Sequence, residues 1–189
     1  MSVTAAAGYV IVDQLHQGPL GSAASSPTTP TSVLPKAVSA TGDGLSAQDG
    51  WTADRPLDVD DASQPAISNL DPALLSAVRA AATDAAADGI TVVVNSGWRS
   101  ARYQQTLLNE AVQRYGSLGE ALRWVATPTN SHHVSGNAVD LGPSAAAYWF
   151  DRHGFTYGLC RAYSNEIWHY ELLTTPGGTC PALKADAGQ

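Results

Sequence analysis

Apolar side chains recur at helical spacing through the middle of the chain, and residues suited to capping mark where the helices begin. Asp71 and Pro72 open the first clear helix, because Asp is a good N-cap and Pro suits the first helical position. Apolar residues follow at intervals of three and four until Gly89, which predicts the end of the helix. Three further helices are predicted after the capping residues Ser100, Ser117 and Ser144.

Short runs with a different pattern predict strands between these helices. Residues 90–95 are rich in β-branched side chains and end just before Ser96. Residues 138–141 form a second strand, in which Asp140 faces away from Val139, and residues 168–173 form the last. Helices and strands do not alternate in the regular βαβ order that is typical of a parallel sheet. The sequence therefore predicts an α+β fold with a mostly antiparallel sheet flanked by helices.

The first third of the chain differs in composition from the rest. Residues 1–42 contain a stretch rich in Ser, Thr, Ala and Pro, which predicts a disordered or linker-like segment, because it can bury too little apolar surface to offset the entropy of ordering. Residues 43–65 are acidic and predict an irregular strap pinned by Trp51. The folded domain is expected over residues 66–183, followed by a flexible tail at 184–189.

The charge balance argues against two classes of function. The net charge is −7, and the sequence has no run of Lys or Arg. A nucleic-acid-binding surface and an anchor for an anionic membrane both need a basic face, so neither is expected. The apolar stretch at residues 9–12 is too short to span a bilayer or to form a complete export signal. Either it is the remnant of such a signal, or the chain is cytosolic with a disordered tail.

The stretch from Ser131 to Asp140 carries the strongest chemical signal. His133 offers an imidazole, and Asp140 offers a carboxylate seven positions later. Fully extended, that separation would span roughly 23 Å at about 3.3 Å per residue. The chain must therefore fold back to bring both to one metal ion, and Gly136 is the residue best able to allow it. With His169 they make a two-histidine, one-carboxylate set, which zinc accepts while a fourth position stays open for water.

Two glutamates flank His169. Positions three apart on a regular strand face opposite ways, so Glu166 should precede the strand or lie at a kink. Glu166 is then a free carboxylate near that water and a candidate general base. Glu171 lies two residues beyond His169 on the same face and is expected to be a hydrogen-bond partner of a ligand. Surface or packing roles are expected for the other histidines, His16, His132 and His153.

The same residues resemble the signature of a known family. The VanY-type zinc D-alanyl-D-alanine carboxypeptidases have a motif similar to Ser131, His133, Gly136, Ala138, Asp140, Glu166, Trp168 and His169. Residues 96–100, with Gln104 after them, resemble the family's Ser-Gly-Tyr-Arg-Ser block, with Trp98 in place of tyrosine. The resemblance covers residues 66–175. It implies the fold that these enzymes share with the D,D-dipeptidases and the hedgehog amino-terminal domain.

The resemblance also implies roles for the site residues. His133, Asp140 and His169 would hold one zinc ion per chain, and Glu166 would be the catalytic base. Arg99 would stabilise the oxyanion, although a surface cation or a structural ion pair is the alternative. The resemblance also implies substrate binding by Ser131, Gln104, Ser96, Trp98 and Trp168. The alternatives are a turn role for Ser131, a solvated position on the helix surface for Gln104, and core packing for the two tryptophans.

The expected function is hydrolysis of the terminal D-alanyl-D-alanine bond of peptidoglycan stem peptides, outside the cell or in its envelope. The metal set itself indicates hydrolysis, whereas the substrate follows from the resemblance. One alternative is another cell-wall peptidase of the same fold, such as a D,D-dipeptidase or an L,D- or endopeptidase. The other is a non-catalytic binding module with structural zinc. Glu166 and Arg99 favour an enzyme over a binding module.

Cys160 and Cys180 are the two cysteines of the sequence. A disulfide between them would close a loop around Glu166 and His169 and would indicate an oxidising compartment. Two reduced thiols in a cytosolic enzyme are the alternative.

Overall fold

The computed structural model describes residues 44–53 and 55–189, so the predicted linker at 1–42 and His16 lie outside the described residues. The strands are β1 at Val93–Ser96, β2 at Ala138–Gly142, β3 at Leu159–Arg161 and β4 at His169–Leu172. They form one sheet in the order β1-β2-β4-β3, and every neighbouring pair is antiparallel. The predicted α+β class with an antiparallel sheet is confirmed.

Five α-helices accompany this sheet in the described part of the chain. They are α1 at Pro65–Ser68, α2 at Pro72–Ala87, α3 at Ala101–Tyr115, α4 at Leu118–Leu122 and α5 at Ser144–His153. Short 3-10 helices lie at Ala47–Asp49 and Gly154–Tyr157. None of the helices in these residues has the length and apolarity needed to cross a membrane.

One face of the sheet packs in the main core, and the other face carries Asp140. Val139 and Leu141 of β2 and Tyr170 of β4 are buried in the main core, against α2 and α5. The hydroxyl of Tyr170 donates to the carbonyl of Ala147 in α5 at 2.6 Å, which ties strand to helix. Burial stabilises each such side chain by about 1.5–3 kcal/mol. Because strand residues alternate between faces, Asp140 lies on the side away from this core.

The predicted helix starts agree with the structure except at α5. Asp71 caps α2 by accepting from the amides of Ala73 and Leu74, and Ser100 caps α3 through the amide of Tyr103. Ser144, in contrast, is itself the first helical residue. The preceding Pro143 stands at the N-cap, and its carbonyl accepts from the amides of Ala146 and Ala147.

The first strand is shorter than predicted, beginning at Val93 rather than at residue 90. The amide of Ile90 donates to the carbonyl of Ala85 at 2.9 Å, so this residue completes the helix end. Gly89, with φ of +77°, turns the chain there.

The strap before α1 is joined to the domain by backbone and ionic contacts. Leu57 and Val94 exchange two backbone hydrogen bonds of 2.8 and 2.9 Å, which extends the sheet beyond β1. Asp49 accepts from Ser100 at 2.9 Å and from Arg102 at 2.6 Å. Trp51, the predicted pin, is only partly buried. These contacts at Leu57 and Asp49 secure the strap.

Residues 184–189 are joined to the domain by hydrogen bonds, although the sequence predicts a flexible tail. The amide of Lys184 donates to the carbonyl of Ala162, and the amide of Ser164 donates to the carbonyl of Lys184. Asp186 is buried and accepts from Arg123 at 3.2 Å. Backbone pairing of this kind does not depend on side-chain type, so composition alone does not reveal it.

Cys160 and Cys180 form the predicted disulfide, with their Cα atoms 5.7 Å apart. Cys160 is buried in β3, so the bond ties the segment that leads to residues 184–189 onto the sheet.

We expect the unreduced, denatured protein to contain no free thiol. Replacing both cysteines by Ala should lower the free energy of unfolding by about 3 kcal/mol, because the bond closes a loop in the unfolded chain. Thiol titration and denaturant unfolding of the Cys160→Ala/Cys180→Ala variant measure the two effects. Two titratable thiols in the unreduced protein would contradict the bond.

A chain that begins at Asp43 should be as stable as the full-length chain, because the composition of residues 1–42 predicts a tether. A chain that begins at Gln64 should have a lower melting temperature, since it loses the contacts of Asp49 and the buried side chain of Leu57. Removing a buried leucine side chain costs about 2–5 kcal/mol. Melting curves of the three chains by circular dichroism make the comparison, and equal stability of the two truncated chains would show that the strap contributes nothing.

Candidate metal centre

Three residues meet on the face of the sheet away from the main core. Asp140 and His169 stand directly opposite each other in β2 and β4, so their side chains project to the same side. His133 arrives from the loop before β2. The chain folds back at Gly136, as the sequence predicts: φ is +78°, and a Cβ there would lie 2.6 Å from the carbonyl oxygen of Asn69.

The donor atoms of this group form a nearly equilateral triangle. Nε2 of His133 lies 3.3 Å from Nδ1 of His169 and 3.3 Å from Oδ1 of Asp140. Nδ1 of His169 lies 3.2 Å from the same oxygen. All three side chains are buried. The three residues predicted as metal ligands are therefore brought together, with one donor atom from each directed to a common point.

The second nitrogen of each imidazole has an acceptor, which fixes the tautomer. Nδ1 of His133 lies 2.8 Å from the carbonyl oxygen of Gly97, and Nε2 of His169 lies 2.9 Å from Oε1 of Glu171. Each of these nitrogens donates, so the other nitrogen of each ring keeps a lone pair for a metal. The predicted contact of Glu171 with a ligand is present.

Glu171 also contacts His132, which the sequence analysis treats as a surface or packing residue. Nδ1 of His132 lies 2.5 Å from Oε2 of Glu171. Burial by itself would raise the pKa of Glu171, but the hydrogen bonds with His132 and His169 outweigh it and lower that pKa to about 2. Glu171 is therefore an ionised partner that supports the ligand His169.

The charges around the triangle favour a bound cation. Burial alone would raise the pKa of Asp140, yet His133, His169 and Arg99 hold it well below its usual value. Burial would lower the pKa of His169, but its bonds with Asp140 and Glu171 raise it to about 9. The surroundings of this histidine therefore favour a positive charge at the triangle. A metal ion would supply the same positive charge to the buried carboxylates.

Glu166 is placed where the sequence predicts, before the strand. A turn at residues 167–168 separates it from β4. The backbone carbonyl of Glu166 accepts from the backbone amide of His169 at 3.4 Å. Oε2 of Glu166 lies 3.7 Å from Nδ1 of His169, beside the donor triangle. Burial raises the pKa of Glu166 to about 7, and the charge of Asp140 adds to the effect.

Arg99 reaches the triangle from the loop after β1, and its Nη2 lies 3.5 Å from Nε2 of the ligand His133. Nη2 donates to Oδ2 of Asp140 at 2.9 Å, Nε donates to Ser96 at 2.8 Å, and Nη1 donates to Gln104 at 3.1 Å. Its side chain is 14% exposed. The alternative of a surface cation is therefore wrong, and a structural ion pair with Asp140 is part of its environment.

Gln104 and Ser96 both accept hydrogen bonds from Arg99 and so support its orientation. Gln104 is 1% exposed; its Oε1 accepts from Arg99 and its Nε2 donates to the carbonyl of Ala126 at 2.8 Å. The alternative of a solvated position on the helix surface is wrong, because both ends of the amide are bonded inside the protein. Substrate contact by Gln104 stays a prediction. Ser96 likewise accepts from Nε of Arg99.

The other predicted substrate contacts are placed differently. Indole Nε1 of Trp98 donates to the carbonyl of Val134 at 3.2 Å, and Trp98 packs against the main core, so it supports the metal-binding loop. Ser131 is buried and lines a pocket beside the centre. Trp168 is partly buried, and substrate contact there stays a prediction.

Tyr163 is a residue of the site that sequence reasoning missed. Its ring centroid lies 4.9 Å from that of His169, and it lines the same pocket as Ser131. It lies in the loop between β3 and β4, where no periodic pattern marks it. The contact of His132 with Glu171 was also missed, although its adjacency to His133 was the available signal.

Comparison with known proteins agrees with this arrangement. A family model described as VanY, D-alanyl-D-alanine carboxypeptidase, matches residues 67–174. A D-alanyl-D-alanine carboxypeptidase of Enterococcus faecalis (strain ATCC 700802 / V583) is 32% identical over 120 residues. The matched part is 50% of this chain and 45% of that protein, so the chain spans less than half the length of this relative.

Two solved structures share the fold. One is a variant of the vancomycin resistance D,D-pentapeptidase VanY from a VanB-type resistance cassette, in complex with Zn(II), with 27% identity and a TM-score of 0.52 over 55% of this chain and 72% of that one. The other is VanYB in complex with D-alanine-D-alanine, with 29% identity and a TM-score of 0.52 over 54% and 70%. The predicted D,D-peptidase-like fold is confirmed.

The match at residues 67–174 covers more than half of the chain and contains the metal triangle, Glu166 and Arg99. The chain therefore belongs to the VanY D-alanyl-D-alanine carboxypeptidase family.

Proposed function

We propose that the protein is a zinc-dependent D,D-carboxypeptidase, which releases the last residue of peptidoglycan stem peptides that end in D-alanyl-D-alanine. The observation that carries this proposal is a triangle of three metal-ligand donors with a separate buried carboxyl group, Glu166, beside it. The triangle supports a metal site, and the extra carboxyl group supports catalysis at that site.

The donor geometry fits zinc. Histidine and carboxylate donors lie about 2.0–2.1 Å from a tetrahedral zinc, which puts neighbouring donors roughly 3.3–3.4 Å apart. The three donors here are separated by 3.2 to 3.3 Å. Two imidazoles and one carboxylate are also the donor types of catalytic zinc sites, which leave one position for water or substrate. His133, Asp140 and His169 would therefore hold the ion.

Glu166 is suited to proton transfer. When bound, zinc would supply a Lewis acid that activates water and polarises the scissile carbonyl. Glu166 would take the proton of the attacking water and return it to the amine of the leaving D-alanine. Burial raises the pKa of Glu166 toward neutrality, and a carboxyl group of this kind is suited to both steps because it accepts and releases a proton at similar cost.

Arg99 is suited to stabilising the oxyanion. Its bonds to Ser96, Gln104 and Asp140 fix the guanidinium, and its Nη2 also lies 3.5 Å from Nε2 of His133. A guanidinium has five N–H donors, so at least one is left for substrate. A fixed cation needs little reorganisation as negative charge develops on the carbonyl oxygen. Ser96 and Gln104 would contribute by holding this orientation.

The substrate and the compartment rest on the relatives and on the disulfide. The matched carboxypeptidase name and the D-alanine-D-alanine complex of VanYB support a D-alanyl-D-alanine substrate. A disulfide in a chain with two cysteines supports an oxidising location, such as the cell envelope or the medium. A D,D-dipeptidase, or an L,D- or endopeptidase of the same fold, would use the same centre on another bond. A binding module would gain nothing from a buried carboxyl group beside the metal ligands, such as Glu166.

Zinc binding should depend on the triangle alone. We expect about one zinc per chain, as a single three-ligand centre requires, and its loss in His133→Ala. His153→Ala is the matched control, because His153 stacks on Trp149, outside the centre. Metal analysis after dialysis, beside an assay of D-alanine release, measures both properties. Full activity of a metal-free native protein would overturn the proposed function.

Glu166→Gln should keep its zinc and lose turnover by about 10²–10⁴-fold, the usual effect of removing a general base. Glu120→Gln is the control, because Glu120 is an exposed carboxylate paired with Arg123. The assay is mass detection of fragments released from stem peptides, with zinc content measured on the same samples. Release of a dipeptide, or cleavage at another bond, would select one of the other peptidases. Parental turnover in Glu166→Gln would refute the assigned role.

A further inference from the structure

A polar pocket lies beside the metal centre. It encloses about 450 Å³, within the range of roughly 300–1,000 Å³ of small-molecule sites. Ser131 and His132 line it next to the ligand His133, and Tyr163 lines it while also contacting His169. Part of the lining comes from the segment at 184–189, including Lys184.

The charge of this lining is unusual for the protein. The chain has a net charge of −7 with 17 acidic residues, yet among the described residues that line the pocket there is no Asp or Glu. The lining contains Lys184, which forms no ion pair with the described residues. A pocket lining with an ammonium group and no acidic side chain among its described residues favours an anionic group over a neutral one.

Backbone hydrogen bonds hold Lys184 in place. Its ammonium group has no ion pair with the described residues, so it can bind a ligand. The Lys184 amide donates to Ala162 at 3.0 Å, and its carbonyl accepts from Ser164 at 2.9 Å. On the N-terminal side the segment is tied by the Cys160–Cys180 disulfide. On the C-terminal side, Asp186 accepts from Arg123 and from the amide of Gly188, which removes that carboxylate from competition for Lys184.

Binding a substrate carboxylate calls for a second cation, because Arg99 is already placed at the metal ligands. Its Nη2 donates to Asp140, on the metal side, where the scissile carbonyl would lie. A carboxypeptidase also has to bind a free carboxylate, and removing that charge from water is costly unless a cation or several donors receive it.

We propose that Lys184 binds a carboxylate of the peptide substrate and makes the pocket an anion subsite. This inference rests on the proposed function. The carboxylate has two sources, the free terminus of the leaving residue or an acidic side chain earlier in the peptide. The 184–189 segment lies beyond the family match at 67–174, so this determinant is separate from the signature residues.

The test compares three peptides of one sequence, all ending in D-alanyl-D-alanine. The first is the free acid, the second has an amidated C-terminus, and the third has its acidic side chain amidated. Lys184→Ala should raise KM for the first peptide about two- to fivefold, the range of a partly exposed ion pair, with little change in kcat. Lys184→Glu should raise KM further, and Lys184→Arg should restore the parental value.

Controls and salt separate local charge from general charge. Arg152→Ala removes the same charge from an exposed site on α5, outside the pocket, and should behave as the parent. The effect of Lys184→Ala should shrink as ionic strength rises, because salt screens exposed charges.

The peptides identify the carboxylate. If the terminus binds Lys184, the effect of Lys184→Ala disappears with the C-terminal amide; if the side chain binds, it disappears with the third peptide. A peptide that is not cut is measured as an inhibitor of the first. KM values of Lys184→Ala and Lys184→Glu equal to those of Arg152→Ala for all three peptides would overturn the subsite.

Failure of the proposed function is a different outcome, in which the zinc-loaded parent cuts none of the peptides. Equilibrium binding of the same peptides then tests whether Lys184 binds a substrate carboxylate. Weaker binding of the free acid by Lys184→Ala, but not by Arg152→Ala, supports the anion subsite. Equal binding by parent and variant overturns it.

Discussion

The register between β2 and β4 is the constraint on which the metal centre depends. It sets Asp140 opposite His169 and Val139 opposite Tyr170. A slip of one residue would turn every side chain of a strand to the other face, so His169 would enter the core and Tyr170 would enter the site. Val139 and Tyr170 resist that slip, because both are fully buried and Tyr170 also bonds to α5. The apolar burial that folds the domain therefore also sets the ligand geometry.

Within this frame, the partners of each buried carboxyl group decide its chemistry. Glu171 has two histidine partners and stays ionised, with its pKa lowered to about 2. Glu166 is similarly buried, but its nearest cationic atom is Nδ1 of His169 at 3.7 Å, and its pKa is raised to about 7. Two carboxyl groups whose pKa values are pushed apart in this way divide the work between support and proton transfer. The contrast separates Glu166 from Glu171 without reference to any relative.

The sequence predicts those parts of the site that depend on local spacing. The grouping of His133, Asp140 and His169, the fold-back at Gly136 and the position of Glu166 before the strand follow from residue type and strand parity. The structure brings the three residues together, turns the chain at Gly136 and places Glu166 before β4. Gln104 does not follow, because a polar residue on a helix is read as exposed unless its tertiary partners, Arg99 and Ala126, are known. Residues 184–189 also escape prediction, since backbone hydrogen bonds to the β3–β4 loop leave no mark in composition.

The parts outside the family match also stabilise the site. Gly50 of the strap crosses Trp98 so closely that a Cβ would lie 2.0 Å from the Trp98 carbonyl oxygen, and the strap carbonyl of Asp49 accepts from the amide of Ser100. From the other side, the amide of Arg99 donates to the carbonyl of His133. The segment that presents Arg99 is thus clamped between the strap and the metal-binding loop. Because a cation that stabilises an oxyanion acts through its fixed position, the strap contributes to the centre through these backbone contacts with the segment that presents Arg99.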